Sequence, residues 1–171
     1  MSDRPNDTPD PRFINPPLKR HPTLQPLSRE HFGGLVLVRR LREAAAAGDE
    51  PSRQAAANLL HEAWETELED HFADEEKLLG PHLADHDMAR LIEEHRSLER
   101  HITMADAADC PPSAEWLAET ATLLEKHIRW EERELFPAAE RAGAAGLDQM
   151  ASEADRIERE RPGSRRRQDK K

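Results

Sequence analysis

Four histidines of this sequence stand in patterns that could bind metal ions. Residues three, four and seven positions apart share one face of a helix, and each of four predicted helices places one histidine within an apolar stripe of this kind. Two of the four are followed, four residues later, by a glutamate. The set comprises His31, His71 with Glu75, His95, and His127 with Glu131. Because buried imidazoles and carboxylates are costly unless they are paired or bind metal, this repetition favours a metal site over ordinary packing.

Two segments of the chain resemble each other around these residues. HFADEEKLLGP at 71–81 and HIRWEERELFP at 127–137 match at the histidine, both glutamates, one leucine and the proline, in the same register. The chain is therefore interpreted as two helix pairs, each with one solitary histidine and one His-x-x-x-Glu-Glu motif. Two similar halves that face each other would build a centre for two metal ions, with one glutamate from each half bridging both.

The residue types restrict the chemistry of this centre. Imidazole and carboxylate suit Fe, Mn or Zn, whereas the single cysteine, Cys110, excludes a cysteine-based zinc site. Four histidines and two bridging carboxylates would give each metal two nitrogens and two oxygens. A bridge derived from solvent would be a fifth donor, which leaves one octahedral position open for a small molecule. Since the chain has no tyrosine, a phenolate ligand and a tyrosyl radical are excluded.

The helix signals predict an all-α protein, an antiparallel up-down four-helix bundle with a short extra C-terminal helix. The expected domain spans 23–145, after a Pro-rich N-terminus at 1–22 that is disordered or loosely draped, and before a short helix and basic flexible tail at 146–171. The four long helices are expected from Ser28 to Gly48, from Pro51 to Leu79, from Asp87 to Ala108, and from a cap at Ser113 to at least Phe136. A shorter amphipathic helix is expected at about 147–158.

Four motifs, in this order, resemble the hemerythrin-like, or HHE cation-binding, family over roughly residues 24–140. They are SREH (28–31), HFADEE (71–76), EEHRSLE (93–99) and HIRWEERELFP (127–137). The resemblance implies a four-helix bundle that holds two iron ions joined by an oxo or hydroxo bridge, although Mn or Zn could use the same donors. The ligands that it implies are His31, His71, Glu75, His95, His127 and Glu131. Ferritin-like bundles use Glu-x-x-His, and no histidine here has a glutamate three residues before it.

One position departs from the oxygen-carrying hemerythrins, which have a second histidine four residues after the third-helix ligand. Glu99 stands there instead, so the sequence is more similar to the four-His members associated with iron, nitric oxide and redox stress. Glu99 shares a predicted face with His95 and is expected to point into the bundle, where it could coordinate an iron or hydrogen-bond its ligand. The alternative is an outward tilt that pairs Glu99 with Arg96 or Arg100 in solvent.

Charge and hydropathy limit the partners. The net charge of -10 disfavours nucleic acid, and no apolar run is long enough to span a membrane. The N-terminal residues lack the apolar stretch of a secretory signal, so a cytoplasmic location is expected. Residues 158–171 carry seven Lys and Arg against three Asp and Glu and are interpreted as a solvated tail. An anionic partner for Arg165, Arg166 and Arg167 is the alternative.

Three functions remain open on this evidence. The first is a di-iron protein that binds dioxygen, nitric oxide or peroxide at an open iron position, for sensing, storage or stress protection. The second is a redox enzyme that turns over peroxide or nitric oxide, or helps to repair iron–sulfur centres. The third is an iron-dependent regulatory module. The same residues would serve all three, so the sequence does not separate the first two.

Overall fold

Helices make up every regular element in the parts of the chain that the computed structural model describes, residues 19–104 and 112–161. In chain order these are a 3₁₀ turn at Pro22–Leu24, α1 at Gln25–Ala47, α2 at Glu50–Ala63, a π turn at Trp64–Leu68, α3 at Glu69–Leu79, a 3₁₀ turn at Gly80–His82, α4 at Asp85–Met104, α5 at Ala114–Trp130, a π turn at Glu131–Leu135, α6 at Phe136–Gln149 and α7 at Ala151–Glu160. The predicted all-α bundle is confirmed.

The ends of several helices follow from local chemistry. Gly48 takes the left-handed conformation, with φ of 77°, and thereby ends α1. The Asp49 side chain accepts from Ser52 N–H at 2.8 Å at the start of α2, and Ser113 Oγ accepts from Trp116 N–H at 3.0 Å at the start of α5. These two caps stand where the sequence predicts helix starts. The Gly48–Asp49 link between α1 and α2 is short, which favours the predicted antiparallel order.

The predicted bounds of three helices need correction. The first helix begins at Gln25 rather than at Ser28, because the turn at Pro22–Leu24 leads directly into it and Pro26 is tolerated in its first turn. The third helix begins at Asp85 rather than Asp87, and the last one occupies Ala151–Glu160 rather than 147–158. Helix α6 continues to Gln149 across a kink at Gly143.

Two apolar clusters fill the interior. One joins all five helices from α1 to α5; it contains Leu37, Val38, Leu41, Ala44, Ala56, Leu60, Phe72, Leu98, Ile102, Leu117, Ala121, Leu124 and Ile128. The other joins the opposite ends of the long helices to α7; it contains Leu24, Leu27, Leu78, Leu79, Leu91, Trp130, Leu135, Phe136, Ala139, Leu147 and Ile157. Phe72 of the first cluster stacks on His95, and Phe136 of the second stacks on His31. The histidines therefore lie between two apolar layers.

Both ends of the described chain pack onto the bundle. Leu24 is fully buried in the second cluster together with Leu147 and Ile157. Thr23 Oγ donates to the main-chain carbonyl of Leu147 at 2.9 Å, which joins the two ends to each other. Arg20 is also buried, and the His21 N–H donates to Glu140 at 2.7 Å, so these two residues of the expected disordered or draped N-terminus contact the bundle.

The third helix turns a different face inward from the predicted one. Its buried residues are Leu91, His95, Leu98 and Ile102, while Glu99 is exposed. Positions 98 and 99 lie on either side of the line through His95, and the apolar residue takes the inner side because burying it is favourable. The expectation that Glu99 points into the bundle is wrong. Arg100, its proposed surface partner, pairs with Glu93 at 3.1 Å.

Some expectations lie outside the described residues. They concern residues 1–18, the predicted end of the third helix at Ala108, and the tail with Arg165, Arg166 and Arg167. Among the described helices, none has the length and hydropathy that are needed to cross a membrane.

The corrected face of α4 predicts different costs for two adjacent substitutions. We expect Leu98→Ala to lower the free energy of unfolding by about 2–5 kcal/mol, because it leaves a cavity in the apolar core. Glu99→Ala, which removes an exposed side chain on the same turn, should change it by less than about 0.5 kcal/mol. Urea unfolding followed by circular dichroism measures both values. Equal losses of unfolding free energy in the two variants would indicate that Glu99 is buried, which would contradict the corrected face of α4.

Candidate metal centre

Six buried side chains meet between the two apolar layers. They are His31 from α1, His71 and Glu75 from α3, His95 from α4, His127 from α5, and Glu131 from the π turn that follows α5. We call these six residues the histidine–glutamate cluster. Both carboxylates have no solvent exposure, and the four imidazoles are at most 5% exposed. The structure thus brings together all six residues that the sequence proposes as metal ligands.

The cluster divides into two groups that share both carboxylates. The first group is His31, His71, Glu75 and Glu131, and the second is Glu75, His95, His127 and Glu131. Within each group, one donor atom per residue lies within 4.8 Å of all the others. Donor atoms bound at about 2.0–2.2 Å to one ion lie roughly 3–4 Å from each other. Each group therefore has the dimensions to hold one metal ion.

The two oxygens of each carboxylate face different groups. Glu75 Oε1 lies 3.2 Å from His71 Nε2, while its Oε2 lies 3.5 Å from His95 Nε2. Glu131 Oε2 lies 3.2 Å from His31 Nε2, while its Oε1 lies 3.1 Å from His127 Nε2. Each carboxylate can therefore bridge two ions, as the matching halves of the sequence predict.

The hydrogen bonding of the cluster fits a metal better than it fits a self-contained polar core. All four oxygens of Glu75 and Glu131, and Nε2 of His31, His95 and His127, are buried without a hydrogen-bond partner. Buried polar atoms are normally satisfied, since each one left unpaired costs about 1–3 kcal/mol. Atoms that converge on common points without bonding each other are suited to a cation at those points.

A second ring of glutamates surrounds the cluster and holds the imidazoles from outside. We call these four residues the outer carboxylates. They contact the Nδ1 atoms in the pairs Glu30 with His71 at 2.7 Å, Glu76 with His95 at 2.9 Å, Glu94 with His127 at 3.0 Å, and Glu132 with His31 at 2.7 Å. Because an ionised carboxylate only accepts, each Nδ1 keeps its proton, and it is Nε2 that becomes a lone-pair donor once the imidazolium loses its other proton.

The outer carboxylates connect the helices in a closed circuit. Glu30 on α1 contacts His71 on α3, and Glu76 on α3 contacts His95 on α4. Glu94 on α4 contacts His127 on α5, and Glu132, in the π turn after α5, contacts His31 on α1. Glu76 and Glu132 are the second glutamates of the two matching segments, whereas sequence reasoning did not single out Glu30 and Glu94. These two directly precede His31 and His95, and a residue one step along a helix points about 100° away, toward the neighbouring helix.

Aromatic rings shield the imidazoles from water. Phe72 stacks on His95 with ring centres 4.0 Å apart, and Phe136 stacks on His31 at 5.4 Å. Trp130 lies beside His127, with ring centres 6.4 Å apart. Low polarity around the cluster strengthens each charge interaction within it.

A cavity of about 330 Å³ reaches the cluster from the side of α1 and α2. His31, His71, His127 and Glu131 form its inner end. Its walls are mainly apolar and include Leu37, Leu59, Ala63, Leu68, Phe72 and Ile128. The cavity is a route by which a small molecule could reach the cluster.

The charges of the cluster oppose the effect of burial on its pKa values. Burial alone would lower the pKa of His71 and of His127, but the negative charges of Glu75 and Glu131 raise both to about 9. Burial would raise the pKa of Glu75, yet the imidazoles around it hold that pKa well below its usual range. The pKa of Glu131 is lowered to about 2, against burial and the charge of Glu75, by His127 and His31.

These values predict opposite pH trends for stability and for metal affinity. Folding raises the pKa of His71 and His127 above 6.5, so the stability they contribute to the metal-free protein is complete below pH 6.5 and is lost as the pH rises through about 9. The contribution of Glu131 is complete above pH 4.5 and is lost as the pH falls toward about 2. Metal affinity should instead increase up to about pH 9, because a metal must displace the histidine protons.

Chelator-treated protein, unfolded in urea across this pH range, tests the stability trend, and competition with a chromophoric chelator tests the affinity. Stability that does not decline from pH 6.5 to about 9 would contradict the assigned pKa values.

Glu99 does not belong to this arrangement. It is exposed on α4 and is absent from both metal-sized groups of the described residues. The proposals that it coordinates iron or hydrogen-bonds a bound molecule are therefore not supported by its position.

Comparison with known families agrees with the site. Residues 24–139 match the model of the hemerythrin HHE cation-binding domain, which covers more than half of the chain and contains all six residues of the cluster. Neither the curated proteins nor the solved structures contain a match. With two cation-sized groups of histidine and glutamate inside an all-helical bundle, the chain belongs to the hemerythrin HHE cation-binding family.

Proposed function

We propose that the protein is a non-haem di-iron protein that binds dioxygen, nitric oxide or peroxide at its metal centre, for sensing, storage or protection against redox stress. The observation that carries this proposal is the sharing of Glu75 and Glu131 between two groups of donors. A site for a single structural ion needs one group. Two groups joined by two carboxylates are suited to a pair of ions that act together.

The donor set supports iron without requiring it. Nitrogen and oxygen donors suit Fe, Mn and Zn alike, so the choice of iron rests on the family. When bound, iron would supply Lewis acidity and one-electron redox chemistry. His31 and His71 would hold one ion, His95 and His127 the other, and Glu75 and Glu131 would bridge them.

The surrounding residues perform three tasks in this proposal. The outer carboxylates fix each imidazole so that Nε2 faces the centre. Phe72 and Phe136 keep water from the imidazole faces. The cavity beside α1 is lined mainly by apolar side chains, with Arg40, Glu62 and Glu67 also among its lining residues. Its apolar walls favour small uncharged molecules, because an ion loses hydration where it passes them.

The alternative of a redox enzyme uses the same residues and differs only in whether the centre cycles. The apolar cavity supports either function, since it gives access from the surface. The third possibility, an iron-dependent regulatory module, and the proposed anionic partner of the tail depend on residues outside the described ranges. A cytoplasmic location also stays a proposal.

Metal analysis is the first test of this proposal. Protein reconstituted with iron under anaerobic conditions should contain two irons per chain, because two groups of donors are present. Elemental analysis with a protein assay measures the ratio. A single bound ion at saturation would contradict the di-iron centre. Stopped-flow spectroscopy of the reduced protein with oxygen, nitric oxide and peroxide then separates the functions, since a stable adduct indicates binding and repeated consumption indicates an enzyme.

Narrowing the cavity should slow the entry of small molecules without removing the metal. Ala63 lines the cavity at the end of α2, so Ala63→Phe places a ring in it. We expect the rate of reaction of the reduced protein with nitric oxide to fall several-fold, while iron content stays the same.

Ala55→Phe is the matched control, because Ala55 is exposed on the same helix and does not line the cavity. An equal fall in rate in both variants, or no fall in Ala63→Phe, would show that small molecules enter by another route.

A further inference from the structure

Two of the outer carboxylates are bound by buried arginines from the ends of the described chain. Glu132 uses Oε1 for His31 and Oε2 for Arg20, whose Nη2 donates to it at 2.8 Å. The same Nη2 also donates to the main-chain carbonyl of Glu132, and Nε donates to Oε2 at 3.0 Å. The Arg20 side chain is only 5% exposed. It therefore fixes the position of Glu132 on the side away from His31.

Arg161 makes the corresponding contact at the other end. Its Nε forms an ion pair with Glu30 Oε1 at 2.7 Å, while Glu30 Oε2 holds His71. Its Nη1 pairs with the buried Asp74 at 3.0 Å, next to Glu75 in the sequence. The Arg161 side chain is 8% exposed. Each of the two carboxylates thus uses one oxygen for an imidazole and the other for an arginine.

Within residues 19–104 and 112–161, the second group of donors lacks this arrangement. Its outer carboxylates, Glu76 and Glu94, are 35% and 29% exposed, against 16% for Glu132 and 9% for Glu30. Glu94 pairs with Arg90, but that arginine is itself 48% exposed. Ion pairs that reach water are worth little, whereas a buried ion pair restricts geometry strongly, because separating it leaves an uncompensated buried charge. The two groups are therefore supported differently.

Both arginines also lie beyond residues 24–139, which match the family model. Arg20 precedes the matched region, and Arg161 follows it on the segment that ends α7. These two terminal segments pack against each other through Thr23 and Leu147. The support of the first group is thus an addition to the family domain, made by both of its flanks together.

We propose that Arg20 and Arg161 are positioning residues that hold His31 and His71, through Glu132 and Glu30, and so make the first metal position dependent on the flanks of the family domain. This inference rests on the proposed two-metal function. Without Arg161, Glu30 and Asp74 would keep buried negative charge with fewer partners, and Glu30 would turn toward water. The His71 ring would then lose its fixed orientation, while His95 and His127 of the second group would keep theirs.

Titration with Co²⁺, followed by visible absorption and by competition with a chelator, tests this inference in the full chain. His95→Ala impairs the second group and His71→Ala impairs the first, so each background isolates one position. In the His95→Ala background, we expect Arg161→Met to weaken Co²⁺ binding by about 10–100-fold, the usual effect of removing support behind a metal-bound histidine. In the His71→Ala background, the same substitution should change affinity by less than about threefold.

Arg20→Met, acting through Glu132, should show the same selectivity and provides a second test if Arg161→Met folds poorly. Arg161→Lys keeps the charge but loses the planar fork, so it should recover part of the affinity. Arg156→Met is the matched control. Arg156 on α7 pairs with Asp74 of α3 and with Glu153 and Glu160 of its own helix, but with none of the outer carboxylates in the contacts described. It should leave Co²⁺ affinity within about threefold.

Equal weakening by Arg161→Met in both backgrounds, or a matching effect of Arg156→Met, would overturn the inference, because either result indicates general loosening of α7. Unchanged affinity in the His95→Ala background would also overturn it. Melting of the metal-free variants, followed by circular dichroism, supplies a readout that does not depend on metal. Wild-type protein that binds fewer than two Co²⁺ ions would contradict the proposed function itself, whatever the arginine variants do.

Discussion

The burial of two carboxylates among four imidazoles is the constraint on which the rest of the structure depends. Glu75 and Glu131 have no contact with solvent, and none of their oxygens has a hydrogen-bond partner. Such an arrangement is stable only if positive charge compensates it, either as protons on the histidines or as bound cations. The raised pKa values of His71 and His127 and the lowered pKa of Glu131 result from this need for compensating positive charge. Protons and metal ions therefore compete for the same six side chains.

The outer carboxylates explain how a bundle of simple helices holds this charge in place. Each long helix contributes a glutamate that bonds the histidine of another helix, so no imidazole is fixed by its own helix alone. A change in the spacing of any one helix would disturb a contact on two others. The circuit thus couples the packing of the bundle to the geometry of the donors, and the apolar layers above and below it exclude the water that would weaken those bonds.

Much of the cluster and of the helix order could be predicted from the sequence, because both depend on the spacing of residues along single helices. A histidine on an apolar stripe, and a glutamate four residues after it, must share a face, so the six residues of the cluster follow from the period of a helix. Two helix starts follow in the same way, from Pro51, which suits a first turn, and from Ser113, which caps the next helix. The position of Glu99 was predicted wrongly because residues three and four places after His95 are nearly equivalent on an isolated helix. Only the neighbouring helices decide that Leu98 turns inward.

What the sequence by itself determined was which residues each helix presents together: the four histidines, the two shared glutamates and the all-helical fold that carries them. What only the tertiary structure decided was every contact between residues far apart in the chain. Glu30 and Glu94 look like surface residues until the next helix brings His71 and His127 to them. Arg20 and Arg161 are separated from each other by almost the whole domain, and nothing in their local sequence indicates burial. Their role arises because the segments at both ends of the described residues pack beside the first group of donors, where a buried carboxylate requires a cation.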